Sequence, residues 1–146
     1  MQRLDIPVDE FTTPNPFSVT RHASIGEVRE LMREAGIRHV PVLEDEIAVG
    51  IISDRDVAMV ANLPNGHELK AEEIMTASPY VVISGAKLAD VALEMARQHI
   101  GSAVVSDDAQ RVIGIFTVTD AVNALVEVLR EELDESAAEG LSQNGW

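Results

Sequence analysis

The sequence predicts a mixed α/β fold built from two β-α-β-β-α repeats that pack against each other. Three observations predict it. The chain matches itself when shifted by 63 residues, both halves carry helix and strand patterns in the same order, and 146 residues give each half too little length for a good core of its own. The shift pairs Thr13 with Thr76, Pro16 with Pro79, Val19 with Val82, Val28 with Val91, Met32 with Met95, Ile37 with Ile100 and Val42 with Val105. One extra residue near Gln110 moves the offset to 64, after which Gly50 meets Gly114, Ile51 meets Ile115 and Asp56 meets Asp120. Duplication accounts for matches that run in order over most of both halves. The repeats span 9–60 and 72–123, with a lead-in at 1–8, a connector at 61–71 and a helix extension and tail at 124–146.

Each repeat opens on an extended, Pro-containing segment, TTPNPFSV in the first and TASPYVV in the second. A helix follows. Ile25, Val28, Leu31, Met32 and Ala35 form one apolar stripe, and Leu88, Val91, Ala92, Met95 and Ala96 form its counterpart. Ser24 with Glu27 makes a capping box; Lys87 stands in the place of Ser24 and leaves the second helix without one. Two β-branched runs of strand length come next, separated by an acidic turn at Glu44-Asp45-Glu46 or Asp107-Asp108. A closing helix ends each repeat. The last is long, from about Val118 to Glu135, with Val122, Leu125, Val126, Leu129 and Leu133 on one face; its first two turns are expected to cover the core. Pro64-Asn65-Gly66 marks a turn in the connector, because Pro presets φ and Asn and Gly tolerate positive φ.

Composition narrows the function classes. Charged residues make up 25%, but the 11 basic against 25 acidic residues give a net charge of −14. Duplex nucleic acid is repelled by such a chain, and no Lys/Arg-rich stretch offsets it. Any anionic ligand is small and met by a local basic cluster, while the acidity serves solubility. No apolar run has the ~18 residues that a membrane span needs. The N-terminal MQRLDIPVDEF has Asp5, Asp9 and Glu10 and reads as no secretory signal. With no cysteine there is no disulfide framework or thiolate metal site, which fits a cytoplasmic protein. The four histidines have no metal-ligand spacing, and packing or surface roles explain them, His39 excepted. No activated nucleophile, metal cage or acid/base pair is evident, so an enzyme is not expected.

The end of the second strand is the most informative place. Repeat 1 reads Gly50-Ile51-Ile52-Ser53-Asp54-Arg55-Asp56 and repeat 2 reads Gly114-Ile115-Phe116-Thr117-Val118-Thr119-Asp120. A hydroxyl residue three before an aspartate is first a helix start, with the hydroxyl at the N-cap and the carboxylate at N3. The same geometry serves a ligand: a carboxylate there accepts from both hydroxyls of a ribose, and the neighbouring hydroxyl bonds a phosphate or ribose oxygen. Arg55 reaches either a phosphate or a surface ion pair. Tyr80 either stacks on a base or packs at a strand start.

The ordered set resembles a tandem pair of CBS (cystathionine β-synthase) domains, a Bateman module. The resemblance rests on Met75-Thr76 with Pro79 and Val82, on Gly36 through Val42, on Gly50 through Asp56 and on Gly114 through Asp120. It implies two repeats packed by their sheets about a pseudo-two-fold axis, leaving two related clefts for adenosyl ligands: AMP, ADP, ATP or S-adenosylmethionine. Such a ligand is regulatory; no catalytic cofactor and no metal are implied. By the same resemblance Asp56 and Asp120 hold ribose, Ser53 and Thr117 supply hydroxyls, and Arg38 and His39 meet phosphate. Pro16, Val19, Pro79 and Val82 border the adenine. A homodimer is implied, with the effector on another polypeptide.

The departures are Phe11-Thr12-Thr13 where the family has Met-Thr, and Gly101-Ser102 in place of Arg38-His39. The second cleft therefore borrows cations, takes an uncharged group at Ser102, or stands empty, and the two sites are expected to be unequal. The competing functions are a nucleotide sensor and a ligand-free assembly module.

Overall fold

The computed structural model describes residues 5–143; residues 1–4 of the lead-in and 144–146 of the tail lie outside the described residues. A 3-10 turn at Val8–Phe11 precedes β1 (Thr13–Pro14), α1 (Ile25–Ala35), β2 (His39–Glu44), β3 (Ile47–Ser53) and α2 (Asp54–Ala61). A second 3-10 turn, Gly66–Glu68, leads to α3 (Ala71–Ile74), β4 (Thr76–Ala77), β5 (Val81–Ile83), α4 (Leu88–Gln98), β6 (Ser102–Ser106), β7 (Val112–Thr117) and α5 (Val118–Gln143). The connector turn forms with Asn65 at φ 59°, the left-handed conformation its side chain tolerates.

Two sheets form, and each borrows a strand. The first has the order β2-β3-β4 and the second β1-β7-β6-β5. Thus β1 of repeat 1 lies on β7 of repeat 2, with Thr13 opposite Ile115, while β4 of repeat 2 lies on β3 of repeat 1, with Thr76 opposite Ile51. The segments just before these strands are exchanged as well. Val8 N–H donates to Ala86 O and Leu88 N–H to Ile6 O; at the related positions Ala71 N–H donates to Ala23 O and Ile25 N–H to Leu69 O, all at 2.8 Å. These four bonds pair two by two at the offset of the sequence repeat, so the backbone obeys the pseudo-two-fold axis.

Packing follows the exchange. One core holds Ile25, Val28, Met32, Val40, Val42, Ile52 and Val57 of repeat 1, together with Ala71 from the second lead-in. The other holds Leu88, Val91, Met95, Ala103, Val105, Phe116 and Ala124 of repeat 2, together with Ile6 and Val8 from the first. Phe116 is fully buried, worth roughly 1.5–3 kcal/mol relative to exposure. The α1 stripe meets its core as its spacing predicts, and Ser24 Oγ accepts from Glu27 N–H at 3.1 Å. The reciprocal bond from Ser24 N–H to the Glu27 carboxylate is absent among the described residues, so only half of that box forms. Lys87 caps α4 with no side-chain bond.

The last helix departs from expectation twice. It runs to Gln143, beyond the expected Glu135. Its apolar stripe faces outward: Val122, Leu125, Val126, Leu129 and Leu133 are all exposed, Leu133 at 69%. The core takes Ala124, with Ala121 and Val128 beside it. Small side chains let the helix lie close over the 3-10 turn of the exchanged lead-in, and the larger residues are left on the other face.

Two glycines record how closely the borrowed strands approach. A Cβ on Gly114 would lie 2.3 Å from Thr12 Cγ2, and one on Gly50 would lie 2.3 Å from Met75 Sδ. Thr12 is β-branched and tied by its hydroxyl, which donates to Val8 O at 2.8 Å, whereas the Met75 side chain can swing away. Gly114→Ala is therefore expected to destabilise the fold by about 1–3 kcal/mol and Gly50→Ala by clearly less. Chemical denaturation of both variants checks the order; equal midpoints would contradict the account.

Candidate functional site

The strand exchange builds a cleft from both repeats. Because β4 pairs with β3, the segment after it, Ser78-Pro79-Tyr80-Val81, is laid opposite the start of α2. The resulting open cleft measures about 1280 Å³ and is lined from repeat 1 by Arg38, His39, Ile51 and Ser53 through Asp56. Repeat 2 contributes Thr76, the Ser78–Val81 segment, Ala92, Met95 and Ala96 of α4, residues 98–102 and the start of α5.

At its floor the α2 start is a complete capping box. Ser53 N–H donates to Asp56 Oδ2 at 2.9 Å, and Asp56 N–H donates to Ser53 Oγ at 3.1 Å. These bonds fix the carboxylate rotamer. Among the described residues Asp56 Oδ1 accepts no hydrogen bond, and the Ser53 hydroxyl keeps its proton for another acceptor. The α5 start has the same frame: Thr117 N–H donates to Asp120 Oδ2 at 2.9 Å and Asp120 N–H to Thr117 Oγ1 at 3.4 Å. It differs in one bond, since the Thr117 hydroxyl donates to Asp120 Oδ2 at 3.1 Å and so spends its proton internally.

Arg38 and His39 stand at the cleft's edge where the repeats meet. Arg38 is 80% exposed, with Nε 3.9 Å from Asp54 Oδ2, a loose pairing that another anion can replace. Arg55 is exposed on the same wall and makes no ion pair among the described residues. His39 is partly buried. Its Nε2 lies only 2.7 Å from where a Cβ on Gly101 would stand, so the imidazole fills the space that Gly101 leaves. Burial pushes the His39 imidazole below its ordinary 6.5; Asp54 and Asp56 oppose the shift and Arg38 adds to it. At neutral pH it is an uncharged hydrogen-bonding group.

On the opposite wall Tyr80 packs on the second core as a strand-start residue does and also faces the cleft. Burial, followed by Glu94 and Asp90, raises its phenol's pKa. Pro79 lines the cleft and Ser102 closes it, buried. Val82 does not line it. Side chains alternate along β5, so Val82 turns onto the second core and Val81 takes the wall. Val19, at the related position, likewise packs on the first core. Pro16, Thr117 and Asp120 lie away from this cleft; β1 carries the segment of Pro16 to β7, at whose end Thr117 begins the second capping box. Missed from the sequence were Ala92 and Ala96, which had read only as helix stripe, and Gly101 as the seat of His39.

Among the described residues no group of His, Asp or Glu side chains is arranged to hold a metal, and no helix is long and apolar enough to cross a membrane.

The structure is a duplicated fold with a cleft between its repeats and a capping-box carboxylate at the matching helix start of each, and comparison with known proteins gives the family. The CBS domain family model matches the chain twice, over residues 8–62 and 71–127, so the chain belongs to the CBS domain family as a tandem pair. The fold is similar to that of the AcuB protein of Vibrio cholerae, with a TM-score of 0.79 and 26% identity over 90% of this chain and 98% of that one. It is similar to the CBS domain pair of protein MJ0100 in complex with 5'-methylthioadenosine and S-adenosyl-L-methionine, with a TM-score of 0.76 and 26% identity over 84% of this chain and 97% of that one. It is also similar to CBSX2 in complex with AMP, with a TM-score of 0.74 and 27% identity over 84% and 97% of the two chains. Among curated relatives, an uncharacterized protein of Methanocaldococcus jannaschii is 28% identical over 121 residues; the match takes in 83% of this chain but 38% of that protein's length.

The His39 environment gives a pH dependence with a definite sign. Because the folded protein holds the imidazole below 6.5, the unfolded chain binds the proton more readily and protonation favours unfolding. Stability is therefore full above 6.5 and declines as pH falls toward the folded midpoint. Proton NMR titration is expected to place the His39 midpoint below 6.5, and a midpoint at or above that value would contradict the account.

Proposed function

We propose that the protein is a regulatory sensor that binds an adenosyl ligand in the cleft between its repeats. The observation that carries this reading is the Asp56 carboxylate: one oxygen is locked by the α2 capping box while the other is free, across the cleft from Pro79, Tyr80 and Val81. In the proposed complex a ribose diol donates to Asp56 Oδ1, the Ser53 hydroxyl bonds a ligand oxygen, and the apolar wall of repeat 2 receives the adenine. A phosphate then lies near Arg38 and Arg55, with His39 offering a neutral N–H. The structural relatives that carry AMP, or S-adenosylmethionine and methylthioadenosine, support an adenosyl ligand for this chain. The ligand bridges the repeats, so its binding tightens their packing and presents that change to a cytoplasmic effector or across a dimer.

Calorimetry with AMP, ADP, ATP and S-adenosylmethionine tests the reading. An accepted ligand at about 100 times its Kd adds roughly 2.7 kcal/mol of stability, or about 5–10 °C in Tm. Asp56→Asn keeps a cap for α2 but removes the charge, and Asp56→Ala removes both acceptors at a cost of roughly 2–4 kcal/mol in affinity. A thermal shift undiminished in Asp56→Ala would refute the site.

A second reading, assembly, is favoured by the apolar face of α5. We propose that Val122, Leu125 and Leu129, all more than half exposed, pair with a second copy of the chain. Sedimentation at micromolar concentration is expected to show a dimer that Leu125→Ser with Leu129→Ser dissociates while circular dichroism stays unchanged. A monomeric unmodified chain would end this second reading.

A further inference from the structure

The pseudo-two-fold axis that relates the repeats must also relate their clefts. The related backbone pairings keep register: Thr13 opposite Ile115 maps onto Thr76 opposite Ile51, and His39 opposite Ser53 maps onto Ser102 opposite Thr117. The two central helices correspond residue for residue, Ile25–Ala35 to Leu88–Gln98, and both end in a left-handed residue, Gly36 or His99. In the first cleft α4 presents Ala92 and Ala96 around Met95. The axis carries Ala92 onto Arg29, Met95 onto Met32 and Ala96 onto Arg33.

We propose that Arg29 and Arg33 make the cleft on the Asp120 side an anion-selective site, one that takes a nucleoside polyphosphate where the first cleft takes a less anionic ligand. This rests on the adenosyl reading above and names the ligand that distinguishes the two sites. The charges decide it. The axis replaces Arg55 by Thr119 and two alanines by two arginines, so the second cleft carries one more positive charge than the first. Arg38 stands where both clefts meet and is shared.

The second cleft thus has its cations although Gly101 and Ser102 supply none; they come from α1. Both arginines are exposed. Arg29 makes no ion pair among the described residues, and Arg33 is held by Glu30 one turn away, its Nε 3.3 Å from Oε2. An exposed pair of that kind is weak and gives way to a phosphate. Four residues apart, the two guanidinium groups lie on one helix face with Cα atoms about 6 Å apart along the axis, a spacing suited to more than one anionic group of a single ligand.

The test isolates the second cleft in an Asp56→Asn background and titrates adenosine, AMP, ADP and inorganic pyrophosphate by calorimetry. ADP is expected to bind more tightly than adenosine, and Arg29→Ala with Arg33→Ala is expected to weaken ADP by about tenfold or more while moving adenosine little. Arg97→Ala, on the exposed side of α4, serves as the charge control and should change neither. Equal affinity for ADP and adenosine, or an ADP affinity indifferent to both arginines, overturns the proposal and leaves the adenosyl reading standing. Pyrophosphate binding that needs Arg29 and Arg33, with no binding of adenosine or AMP to the unmodified chain, keeps the anion site and ends the adenosyl reading. Failure of both ADP and pyrophosphate to bind ends the proposal outright.

Discussion

The structure depends on a reciprocal exchange of lead-in segments. Ile6 and Val8 complete the core of the second repeat, and Ala71 completes that of the first, each anchored by a matched pair of backbone hydrogen bonds. Neither repeat closes its own sheet, because β1 and β4 are given to the other half. The cleft follows from this constraint. The Asp56 carboxylate and the Tyr80 wall are far apart in sequence, and it is the pairing of β4 with β3 that sets them face to face. The contacts that form the cleft are therefore the same contacts that hold the repeats together.

Much of the fold was legible in the sequence. The repeat, its offset and its single inserted residue are properties of residue order, and the helix stripes follow from periodicity. Both S/T-x-x-D helix starts were legible because a cap is a local interaction between residues three apart, and the capping geometry is observed at both. What was hidden was non-local. No pattern within β1 or β4 says which sheet a two-residue strand will join. The first two turns of α5 do cover the core, but not by the apolar stripe, since an apolar face predicts burial without saying against what. The three residues that do pack, Ala121, Ala124 and Val128, make a narrower stripe whose small side chains suit a close crossing.

The candidate site was legible in part. Ser53, Asp56, Arg38, His39, Arg55, Pro79, Tyr80 and Ser102 meet in one cleft. Val82 illustrates why the rest was not: in a strand a shift of one residue changes the face, and the extended segment gave no register. His39 shows a different limit. The residue type leaves the charge of an imidazole open, and burial against Gly101 favours the neutral form.

The exchanged lead-ins also suggest how such a chain arises. A single repeat with a lead-in that fits only another copy is half of a domain-swapped homodimer, and the short connector around Pro64-Asn65-Gly66 ties the two copies into one polypeptide. The tether replaces a concentration-dependent encounter with an intramolecular one. It also ends an obligation. In a swapped homodimer every substitution appears twice, so a copy carrying Arg38-His39 would set its imidazole against the other copy's arginine in the place of Gly101, where even a Cβ would lie 2.7 Å from it. Once fused, the halves are free to differ, and His39 can lean on Gly101 because the second copy no longer has to carry the residues of the first.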